Sequence, residues 1–208
     1  MCGRYVIKNP VTKANKLVKS VIQVEDSENY NAHPYQKLPV IKKYKNGNTL
    51  EGLKWGLIPS WAKKKDFKAL INARLETIDE KISFKKLIKN NRCVAVADGF
   101  YEWKREEKEK TPHYFFRKDS KPIFFAGIYE EGQFCLITEE AKENISEIHH
   151  RQPVIINQTD INRYLNLELQ GSLFLKECSK PDLVFHEVDK DVNKPTNNAA
   201  SLIQKISN

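Results

Sequence analysis

The sequence predicts an α+β fold in which mostly antiparallel β-sheets form a barrel-like core with peripheral helices. Short apolar runs rich in β-branched and aromatic residues follow one another closely, and tight turns join several of them. Segments with helical spacing lie beside these runs, which places helices at the periphery. The length of 208 residues, with 40% hydrophobic and 30% charged residues and no repeat or linker, indicates one globular domain over residues 2–208.

The predicted strands share a short length, a β-rich composition and flanking turn residues. The strongest hairpin signal is the turn sequence Lys45-Asn46-Gly47-Asn48, because Asn-Gly favours a tight turn. Glu130-Glu131-Gly132 joins two further runs, so neighbouring strands should be antiparallel. The charged run at 104–110 is interpreted as a solvated hairpin tip. The predicted strands are residues 3–8, 38–44, 49–55, 93–97, 100–104, 113–117, 123–129, 134–138 and 183–188.

The predicted helices depend on apolar residues that recur three or four positions apart. Ala14, Leu17, Val18 and Val21 have this spacing, and the first helix would follow the N-cap candidate Thr12. The other helical patterns lie at residues 84–91, 139–149, 159–165 and 172–178.

The charge balance favours a polyanionic partner. Lys and Arg exceed Asp and Glu by 35 to 27, a formal net charge of +8. Such a balance is typical of proteins that bind nucleic acid or an anionic membrane surface, although surface lysine also serves solubility. No apolar stretch approaches the ~20 residues of a spanning helix, and no signal peptide is evident, so we expect a cytoplasmic protein that does not enter a membrane.

The cysteines do not predict a metal site or a disulfide framework. Cys2, Cys93, Cys135 and Cys178 are far apart, and no C-x-x-C pair occurs. We interpret the last three as small buried hydrophobic residues in a reducing compartment. Neither a metal nor another cofactor is therefore expected.

Cys2 differs from the others because only the initiator methionine precedes it. Once Met1 is removed, residue 2 presents an α-amine and a thiol on adjacent carbons. An α-amine has a pKa of about 7.7 to 8.0, so roughly a tenth or more is neutral at pH 7. The amine can form an imine with an aldehyde, and the thiol can then close a five-membered thiazolidine. The alternative is that Cys2 occurs here by chance and packs into the first strand.

Four separated motifs favour a reactive role for Cys2 over a chance occurrence. They are MCGRY at residues 1–5, NARLET at 72–77, ADGFYEWK at 97–104 and IHHRQPVII at 148–156. With these motifs in this order, the chain resembles the SOS-response-associated peptidase (SRAP) family of abasic-site-processing proteins. The segments YNAHP at 30–34 and WGLIPSW at 55–61 are also similar to the family, and the likeness extends from Cys2 to residues 192–195.

The resemblance implies an activity and a partner. It implies a compact α+β fold with a positively charged cleft for single-stranded DNA that contains abasic sites. It implies that Met1 is removed, and that Cys2 then crosslinks to the ring-opened aldehyde of the abasic sugar. A self-directed peptidase activity, a weak abasic-site lyase activity and a monomeric state are further expectations.

The resemblance also implies catalytic roles, residue by residue. Cys2 is the nucleophile, and Asn72 positions the cysteine and the sugar; its alternative role is to cap a turn. Glu102 is the acid or base beside the sugar, although the residue could otherwise be an exposed charge on a strand. His149 assists proton transfer, and its alternative role is a surface or capping histidine. Because His150 follows directly, the alignment could also shift by one residue.

The resemblance further implies a DNA-binding set of Arg4, Arg74, Arg151, Pro34 and Trp61. Guanidinium groups suit phosphate oxygens, and for each arginine the alternative is a structural ion pair. Pro34 and Trp61 would wedge or stack where the strand bends, unless Trp61 is buried in the core. The lysine clusters 63–65 and 85–86 are interpreted as solvated surface.

The sequence departs from the family pattern at three positions. His150 stands where an aspartate is frequent, and His33 and Leu75 stand where smaller residues are frequent. None of these departures removes a proposed catalytic group.

Two functions of other classes stay open from the sequence. One is a cysteine peptidase that uses Cys2, His149 and Glu102 to cleave peptides in trans. The other is a non-catalytic module that binds DNA or RNA through charge and aromatic side chains. Only the first would depend on the Cys2 thiol.

Overall fold

The computed structural model describes residues 2–62, 66–107, 109–178 and 180–206, and it confirms an α+β fold dominated by antiparallel strands. Within these ranges, no helix has the length and apolar character needed to cross a membrane. The strands are β1 (Tyr5–Lys8), β2 (Ser20–Ile22), β3 (Glu28–Ala32), β4 (Lys37–Tyr44), β5 (Gly47–Trp55), β6 (Asn72–Arg74), β7 (Arg92–Ala97), β8 (Gly99–Glu106), β9 (Glu109–Arg117), β10 (Ile123–Glu130), β11 (Gln133–Glu140), β12 (Arg151–Pro153), β13 (Ile155–Ile156) and β14 (Leu183–Glu187). The helices are α1 (Pro10–Ala14), α2 (Leu87–Asn90), α3 (Glu143–Ser146), α4 (Ile161–Leu165) and α5 (Gly171–Glu177).

The larger sheet closes on itself. Its strands follow the order β12-β11-β10-β7-β4-β5-β2, with β13 on β10 and β6 on β11. Lys54 and Trp55 at the end of β5 also pair in parallel with Gln133 and Phe134 of β11. The strands β5, β4, β7, β10 and β11 therefore form a ring, and this closure confirms the predicted barrel-like core. Closing a sheet removes exposed strand edges, so the ring is a stable frame for the site.

The smaller sheet holds the start of the chain. Its order is β14-β9-β8-β1-β3, so β1 lies between two antiparallel neighbours. Tyr5 pairs with Ala32 of β3 on one side and with Phe100 of β8 on the other. The first predicted strand is confirmed from Tyr5 onward, and the residues before it lie beside the middle of β8.

The core has two main layers on opposite faces of the ring strands. Every residue of β7 is buried, because both of its faces are covered. Val94 and Val96 belong to the apolar cluster that includes α2, α4 and α5. Cys93 and Ala95 belong to the cluster shared with β1, β8 and β9. The helices therefore cover one face of the ring, and the smaller sheet covers the other.

The hairpin formed by β4 and β5 is confirmed, with a shifted turn. Tyr44 pairs with Gly47, so Lys45 and Asn46 form the two-residue turn. Lys45 adopts a left-handed backbone with φ 49°. The Asn-Gly signal located the hairpin correctly, but the tight turn lies one residue earlier than Asn-Gly itself.

The predicted helix after Thr12 is largely wrong. Helix α1 begins at Pro10 and ends at Ala14, and Pro is well suited to a first helical turn. Val21 and Ile22 instead lie in β2, where Val21 pairs with Leu50 of β5. Both side chains are β-branched and favour strands, so the helical spacing of the valines was coincidental.

The helix predicted at 139–149 is also mostly wrong. Strand β11 continues to Glu140, which pairs with Arg151 at the start of β12. Only the single turn α3 remains helical in this region. The short strands β6, β12 and β13 were not predicted, because two or three residues carry too little periodicity to be recognised.

Gly99 provides a test of how tightly β8 and β9 approach. A Cβ atom at this position would lie 2.5 Å from the Tyr114 ring and closer still to the Phe115 carbonyl oxygen. Backbone atoms of a central strand cannot move aside, so we expect Gly99→Ala to lower the free energy of unfolding by about 2 kcal/mol. Urea unfolding followed by circular dichroism measures this change.

Gly47→Ala is the matched control, because the three atoms nearest to its Cβ would all belong to the side chain of Lys19. Lys19 is exposed and can rotate into solvent. Equal losses from the two variants would contradict the close approach at Gly99.

Candidate active site at the amino-terminal strand

Cys2 precedes β1 and its side chain is fully buried. It packs in the cluster that contains Tyr5, Trp55 and Phe100. Its Sγ lies 4.0 Å from the carbonyl oxygen of Arg4, which accepts a hydrogen bond from the backbone N–H of Tyr101 at 3.0 Å. Burial raises the pKa of the Cys2 thiol well above its usual range, and the nearby Glu102 raises the same pKa further. The sulfur is therefore a neutral thiol here and needs a base before it can react.

Asn72 reaches Cys2 from the larger sheet. Strand β6 pairs in parallel with β11, with Asn72 opposite Leu136. The Asn72 Nδ2 donates a hydrogen bond of 3.0 Å to the carbonyl oxygen of Cys2. Its Oδ1 is buried and has no hydrogen-bond partner in the part of the chain that the structure describes. The side chain therefore holds the Cys2 backbone and presents an acceptor that a bound molecule can use.

Glu102 and His149 form an acid-base pair next to Cys2. Phe100 of β8 lies opposite Tyr5, so Glu102 lies beside the segment that precedes Tyr5. The Glu102 side chain is buried, and its Oε2 lies 3.9 Å from the Nε2 of His149. His149 comes from the turn between α3 and β12, and its ring stacks on His150 with centroids 4.4 Å apart.

The backbone of Arg151 fixes the orientation of the His149 ring. The Nδ1 of His149 lies 3.0 Å from the backbone N–H of Arg151, which donates to it in one tautomer, and 3.2 Å from the Arg151 carbonyl oxygen, which accepts from it in the other. In both tautomers Nε2 is the ring atom that faces Glu102.

The pKa values of Glu102 and His149 shift in opposite directions for the same reason. Burial raises the pKa of Glu102 from 4.5 to about 7. Burial likewise lowers the pKa of His149 from 6.5 to about 4. Loss of water disfavours the charged form of each group, which is the anion of one and the cation of the other. At neutral pH the imidazole is neutral, and the carboxyl group exists in both protonation states.

This arrangement can move protons at neutral pH. A carboxyl group with a pKa near 7 can act as acid or base, and its environment is that of tuned catalytic carboxylates. The imidazole presents Nε2 to Glu102, and Asn72 supplies a buried acceptor beside the Cys2 backbone. Of these groups, Glu102 acts on the Cys2 thiol through its charge. In the described ranges, no group of three or more His, Cys, Asp or Glu side chains is arranged to hold a metal ion.

Comparison with known proteins identifies the family. The model of the SOS response associated peptidase (SRAP) family matches residues 1–195. The chain belongs to the SRAP family. The resemblance read from the four motifs is thereby confirmed over nearly the whole chain.

Two relatives of this chain are named abasic site processing proteins. The SRAP chain is 35% identical to the abasic site processing protein YoqW of Bacillus subtilis, over 98% of this chain and 99% of that protein. It is 29% identical to the abasic site processing protein YedK of Escherichia coli, over 99% and 100% of the two chains. A crystal structure of a protein from Bacteroides thetaiotaomicron superposes with a TM-score of 0.84 at 24% identity, covering 99% of this chain and all of that one. The last comparison supports the fold alone.

Two of the three predicted phosphate-binding arginines have partners within the protein. The Arg4 Nη1 donates to the Oδ1 of Asn31 at 2.7 Å and to the carbonyl oxygen of Val192 at 2.9 Å. Arg151 is buried and forms a bidentate pair with Glu76 at 2.8 and 3.0 Å. Arg151 matches the structural ion pair considered as its alternative, whereas the partners of Arg4 are neutral acceptors. The binding of both residues to DNA stays a prediction.

The other predicted DNA-binding residues are more accessible. Arg74 is exposed and lies at the end of β6, two residues after Asn72. Trp61 is 56% exposed, which rules out the alternative of burial in the core. Its ring meets Phe67 edge-on with centroids 5.8 Å apart. Pro34 is partly buried in the turn after β3. A stacking role for Trp61 and Pro34 stays a prediction.

Some sequence interpretations concern residues beyond the site. Lys63, Lys64 and Lys65 lie outside the described residues. Cys93 and Cys135 are buried as expected, whereas Cys178 is only partly buried. Sequence reasoning missed the fully buried hydroxyl of Tyr5, which has no hydrogen-bond partner in the described part of the chain. A tyrosine in an otherwise apolar strand next to Cys2 was the available signal.

The opposed pKa shifts predict opposite pH dependences of stability for two variants. Between about pH 4.5 and 7, folded Glu102 keeps a proton that the unfolded chain releases, so its contribution to stability falls as pH rises. Between about pH 4 and 6.5, folded His149 lacks a proton that the unfolded chain binds, so its contribution rises with pH. Relative to wild type, Glu102→Gln should gain stability from pH 4.5 to 6.5, and His149→Gln should lose it.

Urea unfolding at pH 4.5, 5.5 and 6.5 measures both differences. Comparison with wild type at each pH removes the contributions of other groups. Differences that change in the same direction with pH in both variants would contradict the assigned protonation states.

Proposed function

We propose that the protein processes abasic sites in single-stranded DNA by a covalent reaction at Cys2. The observation that carries the proposal is that the Asn72 amide binds the carbonyl oxygen of Cys2, while Glu102, paired with His149, lies close enough to the buried Cys2 thiol to raise its pKa. Membership of the SRAP family supports it, as do the names of relatives such as YoqW and YedK. The formal charge of +8 fits a polyanionic partner.

The reaction requires a free amine on Cys2, so Met1 is removed first. In that step water adds across the Met1–Cys2 peptide bond, which releases methionine and the Cys2 amine. Asn72 holds the carbonyl oxygen of Cys2, the residue whose amine this step releases. Glu102 is close enough to influence the Cys2 thiol and can accept or return the proton. The peptidase activity is thus directed at the protein's own terminus.

The crosslink then forms in two additions. The Cys2 amine attacks the C1 aldehyde carbon of the ring-opened sugar, and loss of water gives an imine. The thiol adds to the imine carbon, its sulfur forms the new C–S bond, and its proton passes to the nitrogen. The product is a thiazolidine, and every step is balanced by proton transfer alone. Glu102 and His149 are placed to carry those protons.

The imine also explains a weak lyase activity. An imine at C1 acidifies the neighbouring C2 hydrogen, and its removal expels the 3′ phosphate by β-elimination. Ring closure by the thiol removes the imine and protects the strand. We further propose that the protein acts as a monomer in the cytoplasm, as part of the SOS response to DNA damage.

The thiol environment weighs against a cysteine peptidase that acts in trans. Such enzymes attack peptides with a thiolate of lowered pKa. Here burial and Glu102 both raise the pKa of the Cys2 thiol. Addition of a thiol to an adjacent imine is intramolecular and does not need a standing thiolate. A module that only binds nucleic acid and catalyses no reaction would not need the buried pair of Glu102 and His149.

Substitution of Cys2 tests the covalent step. We expect Cys2→Ala to abolish a heat-stable adduct with an abasic single strand, because the thiazolidine cannot close without sulfur. Cys2→Ser should leave at most an imine that borohydride can trap. The measurement is the intact mass of the protein with and without the oligonucleotide, which reports Met1 loss in the same spectrum.

An amino-terminal tag that blocks Met1 removal is the control, since the Cys2 nitrogen then stays an amide. A heat-stable adduct formed by Cys2→Ala, or by a chain verified as still tagged, would overturn the assignment of Cys2.

Glu102 and His149 should affect the rate of the reaction more than binding. Proton transfer by such groups contributes typically 10²- to 10⁴-fold to a chemical step. We therefore expect Glu102→Gln and His149→Gln to slow crosslinking at saturating DNA by at least about 100-fold. Affinity for a strand with a tetrahydrofuran abasic analogue, which has no aldehyde, should change little. If only the affinity fell while the saturated rate stayed the same, both residues would be binding groups.

A further inference from the structure

A cavity of about 280 Å³ opens directly beside the acid-base pair. Glu102 and His149 form part of its wall, together with Trp103 and Asn193, whose side chains are joined by a hydrogen bond of 2.7 Å. The remaining wall is cationic and consists of Arg105 and Lys110. Strand β8 pairs with β1 only near Phe100, so its edge from Glu102 onward is open on this side.

Arg105 and Lys110 face each other across the hairpin of β8 and β9. Their backbones are direct register partners, and both side chains are exposed. Like charges directly opposite each other on neighbouring strands destabilise a sheet. An anion bound by both cations would offset this repulsion.

Two acidic residues of the same hairpin pair with other cations. Glu106 binds Lys104 at 2.7 Å, and Glu109 lies 3.6 Å from Lys190. Neither Arg105 nor Lys110 takes part in an ion pair with the described residues. The Arg105 charge also acts on the site. Burial is the main cause of both pKa shifts there, and Arg105 slightly opposes the raised pKa of Glu102 and slightly adds to the lowered pKa of His149.

Two of the arginines that the resemblance assigned to phosphate binding are held within the protein instead. Arg4 is held by Asn31, and Arg151 is buried in its bidentate pair with Glu76. The third, Arg74, is exposed but does not line this cavity. The cations in the cavity wall are Arg105 and Lys110, and neither has an ion-pair partner among the described residues.

We propose that Arg105 and Lys110 form a clamp for one backbone phosphate of the bound strand, the phosphate next to the abasic sugar. This inference rests on the proposed function. A sugar that reacts at Cys2 beside Glu102 carries a phosphodiester on each side, and one of them enters this cavity. The planar guanidinium and the ammonium group both suit phosphate oxygens. The two side chains are positioning residues, because they hold the strand and take no part in the proton transfers.

The test measures whether the contribution of one particular phosphate to binding depends on Arg105 and Lys110. The probe is a single strand with a tetrahydrofuran abasic analogue, in which each phosphate near the analogue is replaced in turn by an uncharged methylphosphonate. Wild-type protein should lose about tenfold in affinity at one flanking position, the effect of one charge-assisted contact. The double variant Arg105→Gln/Lys110→Gln should bind the unmodified strand about tenfold more weakly and be indifferent to the replacement at that position.

Lys16→Gln/Lys45→Gln is the charge-matched control. Both lysines are exposed and lie outside this cavity. The control variant should remain sensitive to the same methylphosphonate as wild type, since it retains the clamp. Thermal melting of each variant checks the fold, and the exposed positions of all four residues allow glutamine.

Full sensitivity of Arg105→Gln/Lys110→Gln at every flanking phosphate would overturn the clamp. So would equal loss of sensitivity in the control variant, because the effect would then be one of net charge. Crosslinking of wild-type protein to an authentic abasic strand is measured in parallel. If wild type crosslinks normally while the clamp result fails, the proposed function survives and only the clamp is wrong.

Discussion

The site depends on one constraint, which is that β1 lies in the interior of the five-stranded sheet with β3 on one side and β8 on the other. Pairing of Tyr5 with Phe100 brings the second residue of the chain next to Glu102. A terminal strand at the edge of a sheet would leave Cys2 in solvent, where termini are usually mobile. Here β1 pairs with a neighbour on each side. Cys2, three residues before Tyr5, is thereby as well positioned as a residue of the core.

Burial then determines the protonation of the site. The same loss of water raises the pKa values of the Cys2 thiol and the Glu102 carboxyl and lowers that of the His149 imidazole. Each group is driven toward its neutral form, so the site avoids several uncompensated buried charges. Of these three groups, Glu102 has the pKa closest to 7. It is therefore the group whose proton is easiest to exchange under working conditions, and the reactivity of the sulfur depends on it.

The sequence predicts the strands well because their signals are local. Apolar runs and the Asn-Gly turn located β4, β5 and most of the ring without any knowledge of long-range contacts. The helix expected after Thr12 failed because valines at helical spacing, such as Val18 and Val21, are also good strand residues, and pairing with β5 decided between the two. The short strand β6 was not predicted because its sequence carries too little signal rather than an ambiguous one. Three residues have no periodicity, and only the parallel pairing with β11 defines them.

The sequence predicts the role of Cys2 better than it predicts the roles of the arginines. The position of Cys2 suggests a reaction, since only a terminal cysteine combines an amine with a thiol, and the four motifs favour this interpretation over a chance occurrence. An arginine carries no such mark, because a guanidinium in a structural pair and one that binds DNA look the same in a sequence. Arg151 is buried against Glu76, whereas Arg105 stands unpaired opposite another cation. Only the register of β8 with β9 reveals that difference. The free charges of a basic protein are thus determined by its topology, and the electrostatic surface that meets the DNA follows from the fold rather than from the composition.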